Sequence, residues 1–327
     1  MWLALPIISL IAFMVAKTEF AQQNGIGALP LAIVLGIIVG NLLANKPLTQ
    51  RSSTILEFSK KKLLRAGIIL FGSHLTWSQL VAVGWQAALL DAVVISTVLT
   101  VGYILGVRFL GMDREETILI SVGSAVCGAA AILATEPVLN AKQRDVSVAV
   151  ATVVVFGTLA LFCYPFIFHL SQLSSEAFGV YIGSTVHEVA QAVAAGQAID
   201  SEAMNNAVVV KLMRVMMLAP VVIIIASLYQ RTISGQQLNT AHALPWPWFV
   251  FGFIAMVAFN SLFNLPDFIV SAFQVSAQLL LTVAMTALGL QTKFSAIKAA
   301  GTKPLLLSAT LFGLLLGGGF LIHQVLY

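Results

Sequence analysis

The chain has 327 residues, 59% of them hydrophobic and only 9% charged, against about 25% charged in soluble domains. Mean hydropathy is +0.97 and net charge +4, a balance that excludes a water-soluble globular protein. The Lys and Arg residues lie between apolar runs, as orientation signals do, so nucleic acid is not an expected partner.

Apolar segments run near 2–16, 29–44, 63–75, 78–107, 116–137, 146–170, 178–198, 205–229, 246–263, 268–290 and 303–325. At roughly 20 residues per crossing they predict an all-α polytopic membrane protein with about ten or eleven membrane segments. The start, MWLALPIISLIAFMV, lacks a basic leader and a small-residue cleavage site, so it reads as a membrane segment. No composition shift marks a soluble domain. Residues 1–327 form one transporter-like domain, with 1–170 and 171–327 as approximate halves.

The loop from Lys46 to Arg65 also carries Arg51, Lys60, Lys61 and Lys62. It is the strongest cytoplasmic marker and could meet anionic membrane lipid. Asp91 lies inside the 78–107 segment. Two readings stand for it: a coupling-ion or proton site, or a helix cap or interhelical hydrogen bond. Cys127 and Cys163 sit in apolar runs and predict neither a disulfide framework nor a metal site.

The densest chemistry lies between Gly183 and Pro220, where His187, Glu188, Gln191, Lys211 and Arg214 interrupt apolar sequence. Ionisable groups in hydrocarbon are costly and mark a pathway or binding site. Ser184, His187, Gln191 and Ala194 recur at helical spacing, and Lys211 and Arg214 are three apart, so each set is expected on one helix face. The structural alternative is an ion pair of Glu188 with Lys211 or Arg214 that merely locks two helices.

This stretch has a twin sixty positions earlier. Gly123-Ser124-Ala125-Val126-Cys127-Gly128 aligns with Gly183-Ser184-Thr185-Val186-His187-Glu188, and Ala130, Ala134, Val148 and Val150 with Ala190, Ala194, Val208 and Val210. Cys127, Gly128 and Ala131 stand where His187, Glu188 and Gln191 stand, so the first copy is small and the second polar. The small residues could equally serve close helix packing alone. A second echo pairs 70–84 with 287–301, through Gly72, Ser78, Ala82 and Gly84 and their partners Gly289, Ser295, Ala299 and Gly301. The lysines Lys293, Lys298 and Lys303 near its second copy give the two copies opposite orientations, as in inverted repeats.

The runs GSAVCGAAAILATEPV, AVATVVVFGTLALFCYP, IGSTVHEVAQAVAAG, KLMRVMMLAP and AGTKPLLL resemble the YeiH-like bacterial membrane proteins, to which sulfate export has been ascribed. The resemblance covers nearly the whole chain from about Leu29. It implies a bacterial inner-membrane transporter without a cofactor. It also implies kinship with the superfamily of sodium/proton antiporters and bile-acid symporters, whose inverted repeats contain full-length broken helices.

The residues fit an oxyanion substrate in part. Arg214 offers a fork of donors and Lys211 a point charge. Helix starts at Gly123-Ser124 and Gly183-Ser184 would expose free N–H groups, and Ser124, Ser184 and Thr185 could donate hydroxyl bonds. Gly123, Ser124, Cys127, Gly128, Gly183, Ser184, Thr185, His187, Gln191, Lys211 and Arg214 are thus candidate substrate residues, and Glu188 and Asp91 candidate sites for a coupling proton or sodium ion. Competing classes are a cation-coupled carrier of another organic anion, a channel, and a membrane-embedded enzyme. The last is disfavoured because Gln191 replaces the second histidine of an H-E-x-x-H zinc pattern and nothing in the sequence places a base beside Cys127. A homo-oligomer is left open.

Counting charges also sets a topological choice. If 116–137 and 178–198 both cross fully, Lys142 and Arg144 fall outside and the twins run in parallel. If both are re-entrant, those cations stay cytoplasmic, Asp200 and Glu202 stay outside, and the twins become inverted with their tips near the midplane.

Overall fold

The structure is a computed structural model that describes residues 4–19, 21, 27–43, 50–82, 84–232, 247–263, 266–292, 295 and 300–326. Among these residues every regular element is helical. Lys46, Lys293, Lys298 and Ala299 lie outside the described residues.

In chain order the helices are α1 (Ala4–Ala16), α2 (Ala28–Leu42), α3 (Gln50–Phe58), α4 (Leu64–Phe71), α5 (Trp77–Ala82), α6 (Gly84–Tyr103), α7 (Arg114–Ala125), α8 (Ala129–Leu139) and α9 (Gln143–Leu170). There follow α10 (Ser175–Thr185), α11 (Val189–Gln197), α12 (Ser201–Met216), α13 (Leu218–Thr232), α14 (Trp248–Phe263), α15 (Asp267–Gln291), α16 (Thr302–Gly313) and α17 (Gly319–Leu326). Wider π-turns join α3 to α4 and extend α6 and α16.

Five helical stretches among the described residues are long and apolar enough to cross a membrane: Gly84–Phe109, Gln143–Leu170, Ser201–Tyr229, Phe268–Gln291 and Thr302–Gln324. Four shorter apolar helices accompany them: Ala4–Ala16, Ala28–Leu42, Ala129–Leu139 and Trp248–Phe263.

The twin segments turn back on themselves. Each breaks into two half-length helices that fold back. In the second, Gly179 of α10 packs against Ala203 and Asn206, and Gly183 against Ala207 and Val210, so α10 climbs beside α12 in the same direction. Gly196 of α11 packs against Ala203 and Met204, so α11 descends past the same turn of α12. The mouth closes where Ser175 donates to the Asp200 carboxylate. Ser174 and Asp200 cap α10 and α12, accepting from Ala177 N at 3.2 Å and Ala203 N at 2.8 Å.

The first hairpin is built alike. Gly123 of α7 lies against Ile132 of α8 and Val153 of α9. At its mouth, Glu116 of α7 is within electrostatic reach of Arg144 and Asp145 at the start of α9. Halves of 9 to 12 residues rise only about 14–18 Å, half of a hydrocarbon core of roughly 30 Å. Each twin is therefore a hairpin of two half-length helices, not the full-length broken helix implied by the family resemblance. Pro137 sits inside α8, which runs on past the expected segment end at 137 to Leu139.

Each hairpin leads into a long helix, α9 or the nearly continuous α12–α13. The two units point opposite ways. Helix α9 leads from the mouth of the first hairpin to that of the second. The α12–α13 pair returns, and Tyr229 donates to Glu115 of α7 at 2.6 Å. Of the second echo, Gly84 and Gly301 share positive φ values of 69° and 87°, each at the start of a long apolar helix.

Two helix groups result. Helices α6 to α13 with α16 and α17 pack into a core around the hairpins; α1, α2, α4, α14 and α15 form a panel beside it. The chief contacts between them run from α11 to α2 and α15. Gln197 Oε1 at the end of α11 accepts from Leu29 N of α2 at 3.2 Å. On the panel, Lys60 and Lys61 pair with Glu57 at 3.2 and 3.0 Å. Burial alone would raise the Glu57 carboxyl, but those lysines outweigh it and hold it below its ordinary value. Lys62 is exposed beside them.

In a background without Cys127 and Cys163, single cysteines at Gln143 and Ser201 are expected to label on opposite sides of the membrane. An impermeant thiol reagent should therefore modify one of the two in intact cells. Modification of both, or of neither when permeabilised cells react at both, would refute the hairpin arrangement.

Candidate functional site

The tips of the two hairpins meet inside the core. In the first, Val126-Cys127-Gly128 turns the chain, and Gly128 takes a φ of +70°, a region that disfavours side chains with a Cβ. In the second, Val186-His187-Glu188 makes the turn with extended residues, Glu188 having a φ of −118°. That difference explains why a glycine and a glutamate occupy equivalent places. Close approach adds to it: a Cβ at Gly128 would come 2.5 Å from Glu188 Cγ.

The polypeptide at each tip ends one helix and starts another, so four helix termini converge. The ends of α7 and α10 bring unpaired carbonyls. Lys211 and Arg214, both fully buried on α12, bond to them. Lys211 Nζ donates to Val126 O at 2.9 Å and to Val186 O. Arg214 Nε donates to Ala125 O at 2.7 Å, while its terminal nitrogens reach Ser184 O and, at 3.4 Å, Ser124 O. Two cations thus cap two C-terminal helix ends, where positive charge is favoured. Three expectations change. Gly123-Ser124 and Gly183-Ser184 lie at helix ends, not helix starts, because the break falls after them. Ser184, His187, Gln191 and Ala194 do not share one helix face, because that break separates them. The ion pair of Glu188 with Lys211 or Arg214 does not form. The cations are committed to carbonyls of both hairpins, which leaves at most one N–H of Lys211 and two of Arg214 free.

The starts of α8 and α11 bring unpaired N–H groups, and Glu188 meets both. It forms a reciprocal capping box with Gln191, whose Oε1 accepts from Glu188 N at 3.2 Å. Its own Oε1 accepts from Ala129 N of α8 at 3.4 Å.

Several polar atoms around the tips have no hydrogen-bond partner among the described residues: Ser124 Oγ, His187 Nδ1, Gln191 Nε2 and both carboxylate oxygens of Asp91. Buried polar atoms are almost always paired, so this clustering marks a place for water or ligand. Asp91 on α6 is fully buried and within electrostatic reach of Arg214 and Lys211; neither the helix cap nor the interhelical bond considered for it is found. His187 lies 6.1 Å from the Phe312 ring, centroid to centroid.

Other candidates are committed elsewhere. Gly123 and Gly183 serve close packing, the Ser184 hydroxyl bonds to Tyr181 O at 3.0 Å, and Thr185 accepts from Tyr164 at 2.6 Å while donating to Tyr181 O. Cys127 is a buried free thiol at the first tip. Among the described residues no group of three or more His, Cys, Asp or Glu could hold a metal.

Sequence reasoning missed the carbonyls, which no side-chain pattern reports. It also missed Gly157 of α9, where a Cβ would lie 2.0 Å from Gln191 Oε1. A cleft of about 230 Å³ between core and panel escaped it too; His74, Gln197, Gln274 and Gln278 line it with Phe71 and Met204.

The family model described as "Conserved hypothetical protein 698" matches residues 1–308. The UPF0324 membrane protein PA5383 of Pseudomonas aeruginosa is 47% identical over 324 residues, covering 97% of this chain and 91% of that protein. The UPF0324 inner membrane protein YeiH of Escherichia coli K12 is 46% identical over 304 residues, covering 92% and 86%. A UPF0324 membrane protein of Haemophilus influenzae is 42% identical over 321 residues, covering 98% and 94%. No solved structure matches the chain.

Lys211→Met and Arg214→Met each strand buried carbonyls on both hairpins. Each is expected to lower unfolding stability in detergent by roughly 2–4 kcal/mol, with Arg214→Lys intermediate. A loss below about 0.5 kcal/mol, within the range of surface substitutions, would show that the tips do not depend on these cations.

Proposed function

This chain belongs to the conserved hypothetical protein 698 family, whose UPF0324 relatives are membrane proteins, and from that premise we propose that it is a secondary transporter of a small anion. It is a multi-pass inner-membrane protein. One observation carries the transport reading: two half-length hairpins of opposite direction meet at a buried centre that keeps unpartnered polar atoms. Irregular backbone at membrane depth is tolerated where protein or a water-filled cavity satisfies it, and paired interruptions in inverted repeats mark transporter sites.

The anion follows from the converging starts of α8 and α11, which aim two positive helix ends at one spot. Lys211 and Arg214 add charge from the other side of the tips. Sulfate, a related sulfur oxyanion or a sulfonate has the charge and hydrogen-bonding demand for such a place. The core would alternate access by moving against the panel, breaking the Gln197–Leu29 bond and opening or closing the cleft beside it. In this orientation Arg114, Lys142, Arg144 and the exposed Lys62 face the cytoplasm, where Lys62 meets anionic lipid.

Coupling to a proton or sodium ion is a second reading, favoured by Asp91. A buried carboxylate without a hydrogen-bond donor is costly as an anion, so it stands ready to take a cation in step with transport.

Reconstituted protein is expected to show saturable uptake and counterflow of sulfate, sulfite, thiosulfate or a sulfonate. Asp91→Asn should retain exchange and lose acceleration by an imposed proton or sodium gradient. Conductance without counterflow would overturn the transporter reading in favour of a channel; an unaltered gradient response in Asp91→Asn would remove the coupling role.

A further inference from the structure

Glu188 stands at the point to which an anion would be drawn. The backbone N–H groups that open α8 and α11 lack partners inside their own helices, and the peptide dipoles place positive potential there. In the structure one carboxylate serves both ends: Glu188 closes the capping box of α11 and reaches Ala129 N of α8.

The hold is loose in three respects. The bond to Ala129 N, at 3.4 Å, is near the limit of hydrogen bonding. No Lys, Arg or His lies within ion-pair distance of Glu188 among the described residues, although Lys60 of the panel and Lys211 are within electrostatic reach. Glu188 is half-buried, whereas His187 and Gln191 on either side are sealed. Beside it the fully buried Gln191 amide nitrogen has no acceptor, and His187 Nδ1 has no partner. An unused amide donor therefore sits in the same capping box as a carboxylate that already fills the positive spot. Gly128, at the equivalent place in the first hairpin, supplies no side chain, so one carboxylate answers for two helix starts.

We propose that the Glu188 carboxylate is a tethered occupant of the anion site, which a small oxyanion or carboxylate must displace in order to bind. The proposal deepens the transport reading and rests on it for its consequence during transport, but not for the binding event. Swinging Glu188 out clears Ala129 N and Gln191 N for the incoming anion. Returning it restores the caps and expels the anion, so the site is never left as bare helix ends.

The test uses the purified full chain in detergent, with formate as a carboxylate small enough to replace the side chain. Glu188→Ala removes the occupant. Glu188→Ser removes it too but keeps a hydroxyl able to cap α11, which protects against a folding failure. Glu188→Gln keeps the space filled. At equal ionic strength, potassium formate should raise the melting temperatures of Glu188→Ala and Glu188→Ser saturably over those in potassium gluconate, recovering about half of the loss or more. Wild type and Glu188→Gln should show no formate-specific shift. Equal responses to formate in all four proteins, or none in the Ala and Ser variants, would overturn the proposal. Sulfate counterflow measured on the same preparations separates the two readings. Formate rescue with no wild-type flux of any tested anion keeps the site and removes the transporter, whereas flux without rescue removes the tethered occupant alone.

Discussion

The hydrogen bonds of Lys211 and Arg214 to the carbonyls of Ser124, Ala125, Val126, Ser184 and Val186 are the constraint on which the centre depends. A helix that stops halfway through a membrane strands its last carbonyls where water cannot reach them, at a cost of several kcal/mol each. Two such ends side by side also bring two negative dipole ends together. Two cations from one helix resolve both problems at once. The exchange is mutual, because a buried ammonium or guanidinium without acceptors would be as costly as the bare carbonyls.

The two units that build the centre are alike in backbone and unlike in chemistry. The positions of α9 equivalent to Lys211 and Arg214, sixty residues earlier, are Ala151 and Val154. One unit therefore supplies the cations for both tips, and the same unit supplies Glu188 for both helix starts. The other contributes small residues that permit the approach: Gly128 against Glu188, and Gly157 against Gln191. The duplicated scaffold thus carries a single set of polar groups, which meets both tips.

The panel is plainer. It packs α2 and α4 closely along α15, and at one end Glu57 answers Lys60 and Lys61. Its chief contact with the core is through α11, the helix that Glu188 caps. A change at the tip is thus one short helix away from the contact between the two groups, with the Gln197–Leu29 bond at the far end of that helix.

Composition and apolar run length determined the membrane setting and the helical class, because hydrocarbon leaves few other ways to satisfy a backbone. The repeat of Gly123–Val150 in Gly183–Val210 marked the paired hairpins, and lone charges in apolar sequence marked Lys211, Arg214, Glu188 and Asp91. Such signals are legible because a charge in hydrocarbon is too costly to place without reason. What each charge does was decided only in three dimensions. Lys211 and Arg214 reach backbone carbonyls about 25 to 90 residues away, and a carbonyl has no letter in the sequence. Helical spacing put Ser184, His187 and Gln191 on one face, yet the break at Val186–Glu188 parts them, since periodicity assumes the helix continues. That the second twin turns back was likewise decided by Gly179, Gly183 and Gly196 fitting against α12, a matter of tertiary packing that local sequence does not encode.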